Sequence, residues 1–231
     1  MPNSGNLQAE IMTDIESPLL KDLRETYLQG ELNDAALSYD PWALFERWFD
    51  EHLSTCKKDA NAMILATQGL DGYPKQRTVL AKGMRDSEIV FYTNYQSDKA
   101  REIEANSKVS ILFPWHEQER QVITKGVAIK IPFAETDNYF QSRPRASQLG
   151  AWVSKQSTPI ASREQLEQKQ KKLAERFHDT DIPTPDFWGG FAVRLFSIEF
   201  WQGRPSRLHD RIRFERDAAN DGAWRSQRIS P

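Results

Sequence analysis

Five short stretches of the chain concentrate the residue types that hold anions and planar rings. The first is Arg77-Thr78-Val79-Leu80-Ala81-Lys82, and the second is Tyr92-Thr93-Asn94-Tyr95-Gln96-Ser97-Asp98-Lys99. The third runs Tyr139-Phe140-Gln141-Ser142-Arg143-Pro144-Arg145-Ala146-Ser147, and the fourth is Gln156-Ser157. The fifth, from Trp201 to Arg211, holds Arg204, Arg207 and His209. Arginine presents a planar, permanently charged fork that matches phosphate oxygens. In the second stretch a strand runs into a helix start, where free backbone N–H groups, a hydroxyl and Lys99 converge as a phosphate requires. Any one stretch reads as solvated surface; five together suggest more than one phosphate and a planar ring. On a strand through 77–82, alternation puts Arg77 on the face opposite Lys82.

Other chemistries find no residues to carry them. His52, His116, His178 and His209 are far apart, with no H-x-x-x-H and no cysteine at zinc spacing. There is no G-x-S-x-G, and Cys56 falls in an expected helix as an inert thiol. The 11 glycines form neither G-x-G-x-x-G nor G-x-x-x-x-G-K.

Period and punctuation predict the elements that must position these stretches. Ser17-Pro18 is a cap followed by proline, Leu19, Leu23 and Tyr27 recur every four residues, and Gly30 is a stop, which predicts a helix over 18–29. A polar linker follows over 31–39. Asp40-Pro41 repeats the cap signal before Trp42, Phe45, Phe49 and Leu53, giving a helix over 41–55. Runs rich in Val, Ile, Phe and Tyr then predict strands over 62–67, 76–80, 88–93 and 109–113, with a short helix over 97–106. Residues 127–131 alternate as another strand, and 135–150 read as helix and turn. Ser162 to Gln165 fits a capping box opening a helix to about Phe177. A loop containing Gly189-Gly190 leads to closing strands over 191–201, 211–216 and 224–229. Many short strands without strand–helix alternation predict an α+β fold around an antiparallel barrel or sheet. Residues 1–16 read as a flexible tail and 17–231 as a single domain with an N-terminal segment over 17–40.

Composition narrows the partners. The chain has 231 residues and a net charge of −2. Residues 1–40 carry eight acids and two bases, a balance of −6, which leaves +4 for the rest. That is too weak for a general nucleic-acid surface. No apolar run reaches the ~18 residues of a membrane span, and Met1 to Glu16 lacks the pattern of a secretory signal. The single cysteine excludes an intramolecular disulfide. Neither nucleic acid nor membrane is expected as a partner, and the expected location is the cytoplasm.

At this point the chain closely resembles the pyridoxine (pyridoxamine) 5′-phosphate oxidase family. The carriers are R-T-V-L-A-K (77–82), F-Y-T-N-Y-x-S-x-K (91–99), F-P-W (113–115), E-R-Q-V (119–122), Y-F-x-S-R-P-R-x-S-Q (139–148), G-A-W-V-S-K-Q-S (150–157), F-W-G-G-F (187–191), I-E-F-W-Q-G (198–203) and R-L-H-D-R (207–211). They stand in family order and cover roughly 18–231. The resemblance implies an antiparallel split β-barrel of the FMN-binding type with surrounding helices, and a homodimer with FMN at the subunit interface. It also implies oxidation of pyridoxine 5′-phosphate and pyridoxamine 5′-phosphate to pyridoxal 5′-phosphate, with O2 as acceptor and H2O2 released. Arg77, Thr78, Val79, Leu80, Lys82, Tyr92, Thr93, Ser97 and Lys99 match FMN-binding positions, as do Gln121, Gln156, Ser157, Trp201 and Arg211, some of them from the second subunit. Lys82, Tyr139, Arg143 and Ser147 match the site for the substrate phosphate, and Arg207 and His209 the catalytic residues over the pyridine ring. Arg24 and Tyr27 match a flap that closes over substrate, and Asp59 an acidic position. No metal is implied.

Three departures stand out. Asp98 occupies a position where many relatives carry Arg beside the FMN phosphate, which predicts weaker, more salt-sensitive binding. Ala81 replaces a usual Leu, and 31–39 lacks a basic run common after the first helix. Two other functions compete: a flavin-dependent oxidase of the phenazine-biosynthesis type, and a non-catalytic FMN or pyridoxal-phosphate carrier. Tyr139, Arg143 and Ser147 favour a phosphorylated substrate over the first; Arg207 and His209 favour catalysis over the second.

Overall fold

A computed structural model of the chain describes residues 26–217 and 222–231. Helix α1 (Pro41–Thr55) starts as its sequence dictates: the Asp40 carboxylate accepts from Ala43 N–H at 2.8 Å and Pro41 needs no donor partner. Its apolar face, with Leu44, Phe45, Trp48 and Phe49, is buried. Phe45 lies 5.2 Å from the Phe113 ring in the main core.

Among the described residues nine antiparallel strands follow: β1 (Ala62–Gln68), β2 (Pro74–Leu80), β3 (Gly83–Arg85), β4 (Glu88–Asn94), β5 (Lys108–Trp115), β6 (Arg120–Lys130), β7 (Trp188–Gln202), β8 (Asp210–Glu215) and β9 (Arg225–Arg228). The order is β2-β1-β5-β6-β7-β4-β3, with β8 on β7 and β9 on β8. β2 and β3 stand at opposite ends of this order, yet only Ala81 and Lys82 separate them in the chain. The sheet therefore curls back on itself, and Lys82 N–H donates to Val90 O at 2.8 Å where it does so. The alternating burial of β1 and β5 turns one face to the barrel interior.

β7 is the fork of the split barrel. Its first half, to Arg194, pairs with β4, and its second half, from Ser197, pairs with β8, while β6 runs along the other edge. At the change of partner the Arg216 guanidinium donates to Leu195 O at 2.8 and 2.9 Å.

Helices α2 (Asp98–Ala105), α3 (Phe133–Ser142), α4 (Arg145–Val153) and α5 (Arg163–Arg176) complete the α+β fold. Phe140, Leu149, Leu173, Phe177 and Trp188 form a second apolar cluster that docks α3–α5 on the start of β7. Among the described residues, no helix is long and apolar enough to cross a membrane.

The helix expected over 18–29 lies mostly outside the described residues; 26–29 are not helical. The linker contains one turn of 3-10 helix, Asp34–Ser38, capped by the Asn33 side chain. The segment 135–150 forms two helices rather than one, because Pro144 cannot continue α3. The Ser162 side chain makes no cap bond; Gln165 reaches Ala161 N–H instead, at 3.4 Å. Gly189 and Gly190 are strand, not loop. A Cβ at Gly189 would stand 2.2 Å from the Tyr95 hydroxyl, so this glycine admits a close ring.

Candidate active site

A cavity of about 690 Å³ opens between the barrel and α3–α4. One wall is β2, an end strand of the sheet, and Arg77, Thr78, Val79 and Leu80 line it. Lys82 lines the same cavity. The strand ends at Leu80, two residues before Lys82.

At one end of the cavity β4 delivers Thr93 to the start of α2. Ser97, fully buried, caps α2 by accepting from Ala100 N–H. Lys99 Nζ donates to Thr93 Oγ1 and Gln156 Oε1, both at 3.2 Å. Thr93 Oγ1 also donates to Gln156 Oε1 at 3.0 Å, and Ser157 Oγ accepts from Asp98 N–H at 3.2 Å. Burial, with Arg77 nearby, holds the Lys99 ammonium below the ordinary lysine pKa. A partly buried cation whose hydrogen-bond partners are neutral, at a helix start, fits an anion. Arg77 is fixed by a carboxylate that the sequence reading missed: its Nη2 donates to Glu102 at 2.7 Å, and Thr67 Oγ1 donates to the same oxygen at 2.5 Å. Asp98 turns away from the cavity to Arg101, at 2.5 Å, with its side chain 58% exposed.

At the other end, Tyr92 stacks on Tyr139 at 3.9 Å and on Trp188 at 5.3 Å. Burial pushes the Tyr92 phenol up to about 12, so it remains a donor at neutral pH. The Arg143 guanidinium lies 4.6 Å above the Trp188 ring. Its Nη1 is buried and makes no hydrogen bond, and burial lowers its pKa. Ser147 lines the wall beside it. Trp188, Asn94, Gly150, Ala151 and Ser154 also line the cavity and were not expected there; all lie within or beside the quoted motifs.

The remaining expected residues form a second group. Gln121 stands opposite Trp201 across β6–β7, and Trp201 opposite Arg211 across β7–β8. Directly opposed residues share a face, so three side chains from distant motifs form one row across the sheet. Glu199, two residues before Trp201, shares that face and accepts from Arg211 at 2.6 Å and Arg213 at 2.9 Å. Burial alone would raise this carboxyl, but the two guanidinium hydrogen bonds outweigh it and hold it below the usual range. The Tyr27 ring sits 5.8 Å from Trp201 and 5.6 Å from His209. Arg207 is exposed with a left-handed backbone, φ 61°, and Arg24 lies outside the described residues. Asp59 sits in the turn before β1, also left-handed at φ 50°. Among the described residues, no hydrogen bond, ion pair or ring contact joins this second group to the cavity. Trp188 and Trp201 are thirteen residues apart on β7, about 43 Å of strand at ~3.3 Å per residue.

Residues 49–176, more than half of the chain, match the family model described as pyridoxamine 5′-phosphate oxidase. The chain belongs to that family. Residues 188–231 match the pyridoxine 5′-phosphate oxidase C-terminal dimerisation region. The chain is 48% identical over 212 residues to the pyridoxine/pyridoxamine 5′-phosphate oxidase of Burkholderia multivorans, covering 92% of this chain and 99% of the relative. As a member of the family it is an oxidoreductase, and the family implies a flavin cofactor. Among solved structures it resembles PhzG from Burkholderia lata 383 in complex with tetrahydrophenazine-1-carboxylic acid, with TM-score 0.76, 25% identity, and coverage of 94% and 98% of the two chains. It also shares the fold of a pyridoxamine 5′-phosphate oxidase-related, FMN-binding protein from Nostoc punctiforme, with TM-score 0.67, 18% identity, and coverage of 84% and 100%.

Proposed function

We propose that the chain is an FMN-dependent oxidase of phosphorylated B6 vitamers, serving vitamin B6 biosynthesis and salvage. Pyridoxine 5′-phosphate and O2 give pyridoxal 5′-phosphate and H2O2; pyridoxamine 5′-phosphate takes up a water as well and also releases ammonia. The observation that carries the reading is Arg143, whose buried Nη1 lacks a partner in a cavity it shares with Lys82, Tyr139 and Ser147. A phosphate supplies the acceptor that this fork lacks.

The cavity fits FMN. Lys99, Thr93, Ser97, Gln156 and Ser157 would hold its phosphate, with Arg77 to Leu80 and Tyr92 along its length. The bound flavin supplies the hydride acceptor and the route of electrons to O2. The second group, with Gln121, Trp201 and Arg211, lies too far along β7 to reach the same ligand. This separation and the matched dimerisation region support a homodimer in which each cavity is completed by the partner subunit. The substrate phosphate gives binding energy remote from the reacting carbon, which helps to hold that carbon in line. Arg207 and His209 would then meet the pyridine ring, with Tyr27 beside His209.

The likeness to PhzG favours a second reading, a phenazine-type oxidase whose substrate is a carboxylic acid. Peroxide release by the purified yellow protein decides between them. Turnover of pyridoxine 5′-phosphate far above that of pyridoxine and of tetrahydrophenazine-1-carboxylic acid is expected. Equal turnover of pyridoxine and its phosphate would overturn the assignment.

A further inference from the structure

The loop from β7 to β8 fixes the place of one proton. Arg204 N–H donates to His209 Nδ1 at 3.1 Å. A backbone amide can only donate, so Nδ1 offers its lone pair, and the single N–H of the neutral ring sits at Nε2. The imidazolium would set two donors face to face. A ring turned over would set a carbon-bound hydrogen against that amide, and the plane of the ring is fixed by Trp201, 4.7 Å from it at 41°, and Tyr27, 5.6 Å from it at 64°. Tyr27 comes this close because Gly203 has no Cβ, which would stand 2.7 Å from the Tyr27 ring. The loop holds its shape against its own backbone preference, with Ser206 and Arg207 both left-handed at φ 57° and 61°. His209 Nε2 makes no hydrogen bond among the described residues, so it is the edge left for a ligand.

We infer that the Arg204 amide holds His209 as the Nε2–H tautomer, so that His209 gives the substrate a hydrogen bond at an oxygen and does not take a proton from it. Arg204 is then a positioning residue acting through its main chain. The inference rests on the proposed function, in which His209 lies over the substrate ring. It sharpens that reading by separating two roles that a histidine there could play.

Two measurements test it. In protein labelled with 15N-histidine, the spectrum of the His209→Gln variant identifies the His209 signals among the four histidines. In the neutral ring a directly bonded proton at Nε2 and none at Nδ1 is expected; a neutral ring with its proton at Nδ1 overturns the assignment. This arm needs no substrate, so it stands even if the protein does not oxidise pyridoxine 5′-phosphate, which would sink the proposed function alone. In the kinetic arm, a glutamine amide can donate from near the Nε2 position. His209→Gln should keep kcat/KM within about tenfold of wild type, while His209→Ala falls a further ~10-fold or more, the worth of one lost hydrogen bond. A histidine acting as base would be lost equally in both variants, by ~10²–10⁴-fold. That equality in folded protein overturns the donor role. If His209→Gln does not fold, the spectrum of His209→Asn makes the same identification.

Discussion

Replacing Arg143 by alanine separates binding from folding. In the free protein its guanidinium is half-buried, with Nη1 unpartnered. Among the described residues no carboxylate pairs with it. A buried donor without a partner costs about 1–3 kcal/mol. The cation over Trp188, at 4.6 Å, returns about 0.5–2 kcal/mol. At the middle of both ranges these terms differ by less than ~1 kcal/mol, so Arg143→Ala should shift Tm by about 3 °C, at ~2–4 °C per kcal/mol for a chain of this size. With pyridoxine 5′-phosphate bound, the variant loses a charged hydrogen bond worth ~1.5–3 kcal/mol, and kcat/KM should fall roughly 10- to 150-fold. Unphosphorylated pyridoxine has nothing to lose there, so the preference for the phosphate should shrink by the same factor. Peroxide release on both substrates, with a thermal melt of each protein, is the assay. A large drop in Tm with unchanged kcat/KM would refute the reasoning and make Arg143 a packing residue.

Three further outcomes are expected. Glu102→Ala strips a buried partner from Arg77 and Thr67, and Arg77 is still one-fifth exposed, so the low end of the 3–5 kcal/mol range applies and Tm should fall by about 6–12 °C; a shift within ~2 °C would count against the triad. Asp98 is exposed and held by Arg101, so its charge is screened, and Asp98→Ala should change the FMN dissociation constant less than about threefold in a titration of apo-protein; tightening beyond ~10-fold would mean that the phosphate does feel it. Glu199 is held below the usual carboxyl range, so its stabilisation is complete above ~4.3 and is lost as pH falls from there through the lowered value. Melts from neutral to acid pH should fall more steeply for wild type than for Glu199→Gln, and parallel curves would remove the effect.

The strands were legible because burial on one face leaves a period of two, as β1 and β5 show. The cavity residues were legible because each motif is local: a strand end, a helix start, a helix pair. What stayed hidden depends on pairing between distant segments. No spacing in the sequence aligns Gln121, Trp201 and Arg211, because the register of β6–β7–β8 is set in space. Glu102 reads as one more acid on a charged helix until α2 packs on β1 and turns it toward Arg77. Gly189-Gly190 carries a loop signal locally, and only the packing in space, the Tyr95 ring against Gly189 and the Ile131 side chain against Gly190, explains why strand residues there have no side chain.

The length of β7 has a genetic consequence on the proposed dimer. The strand carries Trp188 at one end and Trp201 at the other, so one polypeptide contributes its two ends to two different catalytic centres. A chain damaged at Arg143 and a chain damaged at His209 would each be inactive as a pair with itself. Mixed together, they would form a dimer with one intact centre and one centre bearing both lesions. Alleles with lesions at opposite ends of the strand should therefore complement one another, and alleles with lesions at the same end should not.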